Sequence, residues 1–324
     1  MKHLLGLDES SFIPRKIQLH IGGYIMETTT IQTVACSDTS YKTATGEIPY
    51  NMTNDYMFRI ILQKNVLVLK GIISALLRLK PEHIQSTLVT NPIELGEDID
   101  DKTFVLDIDV MLNNDSLINL EMQMSNEHNW QDRSLSYLCR SFDQLYQGQP
   151  YSAAKPAIHI GFLNFHPFPD YPEFYATYKL MNLKNSMVYS DKFALGVVDL
   201  KHIELATEED EEYQLDAWAK FFTSTTWEEV IMLAETNPYI AAATQTLYEA
   251  NADEMTKRKC RARRDYYKQV NTTEKILKEL NEAIELKDSE LKQKDAQLEQ
   301  KDAQLEQKDA RIKELEALLA KQKN

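Results

Sequence analysis

Residues suited to metal chemistry are concentrated in one stretch of the chain, KTFVLDIDVMLNNDSLINLEMQM, at positions 102–124. Asp107 and Glu121 lie on either side of a polar Asn-Asn-Asp run, and Gln123 closely follows Glu121. Hydrolysis of a phosphodiester without a covalent intermediate needs a divalent cation that activates water and neutralises developing charge. Magnesium prefers oxygen ligands and keeps several of its waters, so two carboxylates and one carbonyl can hold it. The stretch therefore contains the side chains that such a site needs.

A β-hairpin is predicted for this stretch. Apolar and polar side chains alternate with a period of two over residues 104–110 and again over residues 119–124. The Asn-Asn-Asp run between them is typical of a turn. One face of the hairpin is then apolar. The opposite face carries Asp107, Asp109, Glu121 and Gln123.

On that polar face, Asp107 and Glu121 would bind the cation, and the main-chain carbonyl of Met122 would be a third ligand. Gln123 points to the same face and could hydrogen-bond the attacking water. Asp109 could replace Asp107, although we expect it to be solvated. The same pattern also fits a half-exposed hairpin with a solvated polar face, and the spacing alone leaves both interpretations open.

Local patterns predict further elements around the hairpin. Thr53-Asn54-Asp55 is typical of a helix N-terminus, and the apolar spacing from Val66 predicts a second helix that Pro81 ends. A short strand is predicted at Ser86–Thr90, followed by an acidic loop, Glu94–Asp101. The remaining predicted elements are a helix over Arg133–Tyr146, buried strands over Ala157–Phe162 and Phe193–Val198, and, after the acidic run Glu208–Glu212, a helical region with Trp218–Phe222 and Trp227–Ala234.

Charged and aromatic residues outside the hairpin could extend the site. The helix predicted after the hairpin would place four such residues on one face, where they would contact a phosphate, support Glu121 or form a structural salt bridge. These four are Arg133, Tyr137, Arg140 and Gln144. Asp55 would either complete the site from the first helix or act as a carboxylate at the N-terminus of that helix.

Basic and histidine side chains elsewhere in the sequence do not point to a particular site. The basic cluster KRKCRARR at residues 257–264 would contact phosphates or form a solvated face. His159 lies in an apolar strand pattern, which favours a core histidine with its hydrogen bonds satisfied. The histidines are scattered along the chain without metal-ligand spacing.

An excess of acidic side chains marks the chain as a whole. Its 324 residues include 36 Lys and Arg against 50 Asp and Glu, a formal net charge of −14. This balance argues against non-specific coating of nucleic acid but allows a local basic patch. Cys36, Cys139 and Cys260 have no paired spacing, so neither a disulfide framework nor a zinc cluster is expected. No apolar run approaches the ~18 residues of a membrane span, so we expect no membrane attachment and a cytoplasmic location.

The C-terminal tail is a heptad repeat, with KDSELKQ followed by two copies of KDAQLEQ. One seam position is apolar throughout, whereas Lys or Asp fills the second until Leu315. The apolar seam residues are Leu291, Leu298, Leu305, Ile312 and Leu319. A long helix that forms a weak coiled coil between copies of the chain is therefore predicted.

Nine short motifs follow one another along residues 51–267. They are NDYMF, LDID with INLEMQ, RSLSY, GQPY, AIHIGFLNF, HIEL, WAKFF and ARRDYY. In this order they resemble the landmarks of PD-(D/E)xK nuclease family transposases, a class of recombination-promoting nucleases. The resemblance covers about two thirds of the chain. It implies an α/β, restriction-endonuclease-like core.

The resemblance also implies roles for hairpin residues. Asp107 would be the first metal carboxylate, and Glu121 and Gln123 would occupy the (D/E) and K positions. Glutamine departs from the usual lysine there, because an amide can orient water but provides neither a positive charge nor an ionisable base. Candidates for the missing charge are Lys102, Arg133 and Arg140.

The resemblance and the residues together predict an Mg²⁺-dependent DNA endonuclease, with Mn²⁺ as a second usable ion. The alternative is a catalytically degenerate nuclease fold that acts as a DNA-binding or coiled-coil assembly protein. Homo-oligomers would form through the tail. The predicted organisation is an unassigned N-terminal segment (1–50), a nuclease-like core (51–205), a helical region (206–270) and the coiled-coil tail (271–324).

Overall fold

The computed structural model of the chain describes residues 40–93, 107–126 and 128–322. The chain divides into two compact units, residues 1–264 and 265–324. The predicted acidic loop, Lys102 and the first residues of the predicted hairpin lie outside the described residues. The described elements are α1 (Asp55–Lys64), α2 (Val66–Leu77), β1 (Thr87–Val89), β2 (Ile108–Leu112), β3 (Ser116–Gln123), α3 (Trp130–Phe142), β4 (Ala157–Leu163), β5 (Tyr175–Lys179), β6 (Phe193–Asp199), α4 (Glu208–Glu212), α5 (Leu215–Thr223), α6 (Trp227–Thr236), α7 (Pro238–Ala252) and α8 (Glu254–Gln322).

One six-stranded mixed sheet has the order β1-β2-β3-β4-β6-β5. The outer neighbours pair antiparallel, whereas β3, β4 and β6 run parallel in the middle. Every residue of β3 and of β4 is buried, as expected for central strands covered on both faces. The architecture is the mixed α/β fold that the sequence predicts.

The main hydrophobic core lies between one face of the sheet and helices α1, α2, α5 and α7. Three aromatic rings connect these layers, because Phe162 of β4 contacts Phe58 of α1 and Phe222 of α5 at centroid distances of 5.6 and 5.1 Å. Both first helices begin where the sequence indicates. Asn54 accepts a hydrogen bond from the backbone of the first turn of α1, and Asn65 does the same for α2.

The opposite face of the sheet lies under α3, which follows β3 and precedes β4. Trp130 packs against Gly161 of β4 so closely that a Cβ atom at this glycine would lie 1.9 Å from a ring carbon. Trp130, Leu163 and Val197 form a second, smaller apolar cluster there. The helix is therefore seated directly above the polar residues of β3.

Two helix predictions need correction. The helix predicted over Arg133–Tyr146 spans Trp130–Phe142, so Gln144 is not on its face. It begins earlier because Trp130 packs on the sheet, a contact that a local pattern does not contain. The acidic run Glu208–Glu212, which the sequence placed before the helical region, is itself a helix, α4. Like charges are tolerated there because Thr207 forms a capping box and Arg78 binds two of the carboxylates, at 2.6 and 2.9 Å.

The tail is helical, since α8 continues through the heptad repeats to Gln322. In the single chain, Leu291, Leu298, Leu305 and Ile312 are each more than half exposed. The side chain of Leu319 lies outside the described residues. The long helix is confirmed, whereas its pairing into a coiled coil stays a prediction.

No single described helix is long and apolar enough to cross a membrane. Taken together, α1 and α2 are long and apolar enough for a membrane span, but a bend of 108° separates them. Most residues of both helices are buried in the core of the first unit.

Candidate functional site

The predicted hairpin is present as β2 and β3, and its register brings the acidic residues together. Ile108 pairs with Leu120 and Asp109 with Asn119. Continuing the register by one residue places Asp107 opposite Glu121. Residues directly opposite in an antiparallel pair have Cα atoms ~4.5–5.5 Å apart. Both carboxylates are nearly buried.

Asn119 joins the two aspartates to a histidine of the next strand. Its amide nitrogen donates to Asp107 at 2.5 Å and to Asp109 at 2.6 Å. Its amide oxygen lies 2.6 Å from Nδ1 of His159 in β4. Since the nitrogen of Asn119 is used as a donor, the oxygen must accept the proton of His159 Nδ1. This hydrogen bond fixes the imidazole tautomer, with the lone pair on Nε2.

His159 is neutral in the folded protein. Burial, together with the smaller effect of the positive charge of Arg133, lowers the pKa of this imidazole to about 3. Nε2 lies 3.7 Å from Oε2 of Glu121 and has no hydrogen-bond partner among the described residues. The expectation of a fully satisfied core histidine is therefore met at one ring nitrogen and not at the other.

Glu121 is bound by an arginine of α3. Arg133 reaches the same carboxylate oxygen, Oε1, with Nε at 2.8 Å and with a terminal nitrogen at 2.7 Å. Of the roles considered for Arg133, this ion pair fits both the support of Glu121 and a structural salt bridge. A helix placed over the sheet face thus supplies a permanent positive charge beside the second acidic residue.

Tyr137 occupies the next turn of α3. Its ring stacks on His159 with centroids 5.8 Å apart, and the Arg133 guanidinium lies 5.4 Å from the centroid of the Tyr137 ring. Burial raises the pKa of the Tyr137 phenol, so the side chain is a hydrogen-bond donor at neutral pH. Arg140 is exposed on the outer side of Tyr137, 5.8 Å from its ring centroid.

Beneath the hairpin, the buried Arg59 of α1 donates to the main-chain oxygens of Asp107 and Asn91. Burial lowers the pKa of this guanidinium, although the carboxylates of Asp107 and Asp109 oppose the shift. Asp109 is partly buried rather than solvated, which corrects the expectation for it. Burial also raises the pKa of its carboxyl, against the hydrogen bond from Asn119.

Gln123 and Met122 complete β3. Gln123 is buried and donates its amide hydrogen to the carbonyl of Ser125 at 3.1 Å. The side chain of Met122 belongs to the main core, which leaves its backbone carbonyl as the group that could bind a cation.

Asp55 faces another partner. Arg263 of α8 binds its carboxylate, and Oδ1 also accepts the backbone N–H of Tyr56 at 2.8 Å. Within the basic cluster, Lys259 and Arg264 lie near the rings of Tyr56 and Tyr50. Arg258 and Arg261 of this cluster are exposed. The cluster therefore has a structural side and a solvent side.

Sequence reasoning missed Asn119, Arg59 and the Nε2 atom of His159. Asn119 was visible as a polar residue at an alternating position of the second predicted strand. Its role depends on two neighbouring strands and could not be inferred from one. Arg59 had no local signal, because a single arginine in an apolar helix is not distinguishable from a solvated one.

The residues present fit a divalent cation. Asp107 and Glu121 provide hard oxygen ligands from opposite strands, and buried neighbours hold both side chains in place. The neutral His159 and the guanidinium of Arg133 add no negative charge beyond the carboxylates. Carboxylate oxygens are ligands that divalent metal ions take in proteins.

A mixed sheet with an acidic pair on its central hairpin is consistent with a PD-(D/E)XK nuclease-like fold. The model of one family, described as PD-(D/E)XK nuclease family transposase, matches residues 52–275. The chain belongs to this family. No curated protein and no solved structure matches the chain.

Proposed function

We propose that the protein is a DNA endonuclease that uses a divalent cation, Mg²⁺ or Mn²⁺, to hydrolyse phosphodiester bonds. The observation that carries this proposal is the placement of Asp107 opposite Glu121 on the hairpin, beneath Arg133 of α3. Membership of a nuclease-like transposase family supports it.

Each residue has a distinct task in this proposal. Asp107 and Glu121 bind the cation with the carbonyl of Met122. When bound, the cation lowers the pKa of a water ligand and stabilises the charge that develops on the phosphate. Gln123 accepts a hydrogen bond from the attacking water through its amide oxygen, while one N–H of the same amide donates to the Ser125 carbonyl.

The glutamine at the usual lysine position needs a compensating charge. Arg133 provides one, because its guanidinium lies within 3 Å of Glu121 and is about one third exposed. Of the two described candidates, Arg133 and Arg140, Arg133 is the one in contact with Glu121. A DNA phosphate could contact the exposed side of the Arg133 guanidinium while Arg133 stays paired with Glu121.

DNA would approach across exposed arginines in spite of the acidic composition. These exposed arginines include Arg140 of α3, beside Tyr137, and Arg258 and Arg261 of α8. Local phosphate contacts of this kind weaken steeply with salt. Oligomers would form through the heptad repeats, with the cleaving core in residues 51–205 and the helical region in residues 206–270.

A second candidate is a degenerate nuclease fold that binds DNA or organises assemblies without cutting. The ion pair between Arg133 and Glu121 favours it, since a polar network can also be purely structural. The two candidates share the fold and differ in cleavage alone.

Nicking of supercoiled plasmid by the full-length chain distinguishes them. We expect nicked product with Mg²⁺ or Mn²⁺ and none with a chelator, and Asp107→Asn serves as the inactive control. Retained DNA binding without cleavage under every metal condition would establish the second candidate. Cleavage that survives in Asp107→Asn would place the active residues elsewhere.

A further inference from the structure

Two histidines and a buried aspartate meet at the carboxyl end of the parallel strands. Asp199 ends β6, His202 follows it by one turn, and His166 lies in the loop after β4. One potential ligand atom from each lies within 4.8 Å of those of the other two. Among the described residues, no other group of three such side chains meets that condition. We propose that these residues form a second metal site, for a divalent transition metal of the Zn²⁺ type.

The contacts within the group are those of a site held ready for a metal. His166 Nδ1 lies 2.9 Å from Oδ2 of Asp199, a hydrogen-bond distance, whereas adjacent tetrahedral ligands of an ion with ~2.1 Å bonds lie ~3.4 Å apart, so a small outward shift of the exposed ring would admit the ion. The backbone N–H of Lys201 donates to the other oxygen, Oδ1, at 2.8 Å. The buried aspartate is therefore fixed in orientation, with Oδ2 directed to the imidazole.

Glu204 orients the second imidazole. His202 Nδ1 donates to the carboxylate oxygen Oε1 of Glu204 at 2.9 Å. The lone pair of His202 is then on Nε2. A histidine that donates one ring N–H to a carboxylate and binds metal through the other nitrogen is the usual arrangement in protein metal sites.

The two rings lie against each other, with centroids 4.1 Å apart and an angle of 29° between their planes. Metal loading keeps both rings neutral. His202 binds through Nε2, whereas His166 binds through Nδ1 and moves its ring proton to Nε2. Asp199 Oδ2 loses its hydrogen bond from His166 and binds the metal instead.

The donor set selects the class of metal. Two imidazoles and one carboxylate suit Zn²⁺ and its neighbours in the first transition row, whereas Mg²⁺ takes oxygen ligands. Three protein ligands leave one tetrahedral position for water. This separates the group chemically from the all-oxygen hairpin site.

The two sites are also separate in space. Asp199 pairs with Leu163, which pairs with Gln123, so Asp199 and Gln123 are two strands apart at the same level of the sheet. At ~4.8 Å per strand the Cα atoms are separated by ~10 Å. One ion cannot bridge both positions. A metal here would instead join the loop after β4 to the end of β6.

Zinc binding to the full-length, chelator-treated protein tests the proposal. We expect the wild-type chain to bind Zn²⁺ in competition with a chromophoric chelator and to unfold at a higher temperature when loaded. His166→Gln, His202→Gln and Asp199→Asn should each weaken binding by more than about a hundredfold and remove the thermal shift. Glu204→Gln should weaken it about tenfold, the lower end for a residue that orients a ligand.

Two controls identify the site. His83→Gln alters an exposed histidine near the opposite edge of the sheet and should leave Zn²⁺ affinity unchanged. Asp107→Asn should also leave it unchanged, whereas loss of Zn²⁺ binding in that variant would assign the ion to the hairpin and overturn the proposal. Equal Zn²⁺ affinity in wild type and His166→Gln/His202→Gln would overturn it as well. A Co²⁺ absorption band that disappears with His202→Gln would support it independently of DNA cleavage.

Discussion

Asp107 and Glu121 are held by different kinds of partner. An amide of Asn119 donates to Asp107, whereas the charged Arg133 binds Glu121. Loss of a carboxylate charge therefore has unequal effects on folding. An amide at position 107 leaves Asn119 with an acceptor, but an amide at position 121 leaves the Arg133 charge without its anion.

Asp107→Asn and Glu121→Gln are both expected to abolish metal-dependent nicking. Each replaces an anionic ligand of a hard cation by a neutral amide. The loss should exceed about a hundredfold, because the cation contributes several kcal/mol and each ~1.4 kcal/mol is tenfold in rate. Initial nicking rates at saturating Mg²⁺ measure it, with urea unfolding as the control for folding. Wild-type rates in either variant would exclude that residue from the site.

Gln123→Lys is the more discriminating substitution at the hairpin. The lysine ammonium could donate to the Ser125 carbonyl as the amide does now, and it would restore the residue usual at this position. We expect nicking activity to be retained or raised. Gln123→Leu is the matched control without a polar end and should lose activity. If Gln123→Lys is folded and inactive, the amide oxygen has a role that lysine cannot replace.

His159 makes the stability of the fold depend on pH. Burial lowers the pKa of His159 from its ordinary value of 6.5 to about 3 in the folded protein, so between these pH values the unfolded chain binds a proton that the folded chain does not bind. Stability is therefore fully present above about pH 6.5 and declines as the pH falls towards 3, by up to ~1.4 kcal/mol per pH unit.

Urea unfolding at pH 7.5, 6 and 5 in chelator, above the main carboxylate titrations, measures this dependence. His159→Gln should have a flatter profile than wild type, because glutamine does not titrate. Parallel profiles would show that His159 titrates alike in the folded and unfolded chains.

At the scale of elements, α3 and β4 form the unit that positions the site. Trp130 rests on Gly161, which pairs with Glu121 in the neighbouring strand. Arg133 is one turn further along the same helix. The close packing of the Trp130 ring on Gly161 therefore sets the distance between α3 and the acidic residues of the hairpin.

Gly161→Ala should destabilise the fold by about 1–3 kcal/mol, the usual cost of overpacking. Its Cβ would lie 1.9 Å from Trp130, which must then move. The matched control is Gly196→Ala on the other face of the sheet, where the nearest atoms are 3.1 and 3.3 Å away and a small adjustment suffices. Urea midpoints compare the two variants. An equal cost at both positions would contradict a special contact at Gly161.

At the scale of the whole molecule, we expect the tail to set the oligomeric state and the sheet to carry the cleavage site. The apolar seam of the tail is more than half exposed in a single chain. Each leucine contributes ~1.5–3 kcal/mol when fully buried, against an ordering cost of similar size. Association through one apolar residue per heptad should thus be weak by itself.

Deletion of residues 287–324 should lower the oligomeric state and leave intrinsic nicking in place. Light scattering and nicking rates at matched concentration measure the two effects. A full-length variant with Leu291, Leu298 and Leu305 changed to Gln keeps the length and charge and should dissociate similarly. An unchanged oligomer after deletion would place the interface in the first unit. Loss of nicking would mean that cleavage needs two associated copies.

The sequence by itself determined the hairpin, the first two helices, the buried strands after the hairpin and the long terminal helix. Each has a signal within a few residues, such as the alternation around Asp107 or the heptad period of the tail. The ordered motifs further identified the family and the fold, which the family model confirms. The placement of Asp107 opposite Glu121 followed from the Asn-Asn-Asp turn and the period of two in the flanking strands.

Only the tertiary structure decided which distant side chains meet. Asn119 contacts His159 across two parallel strands, whose register a local pattern does not encode. Asp55 pairs with Arg263 from the far end of the unit. The histidines looked scattered, yet His166 and His202 are stacked because β4 and β6 are neighbours in the sheet and end at the same edge. Periodicity reports the burial of a local face, whereas strand order depends on packing across the whole chain.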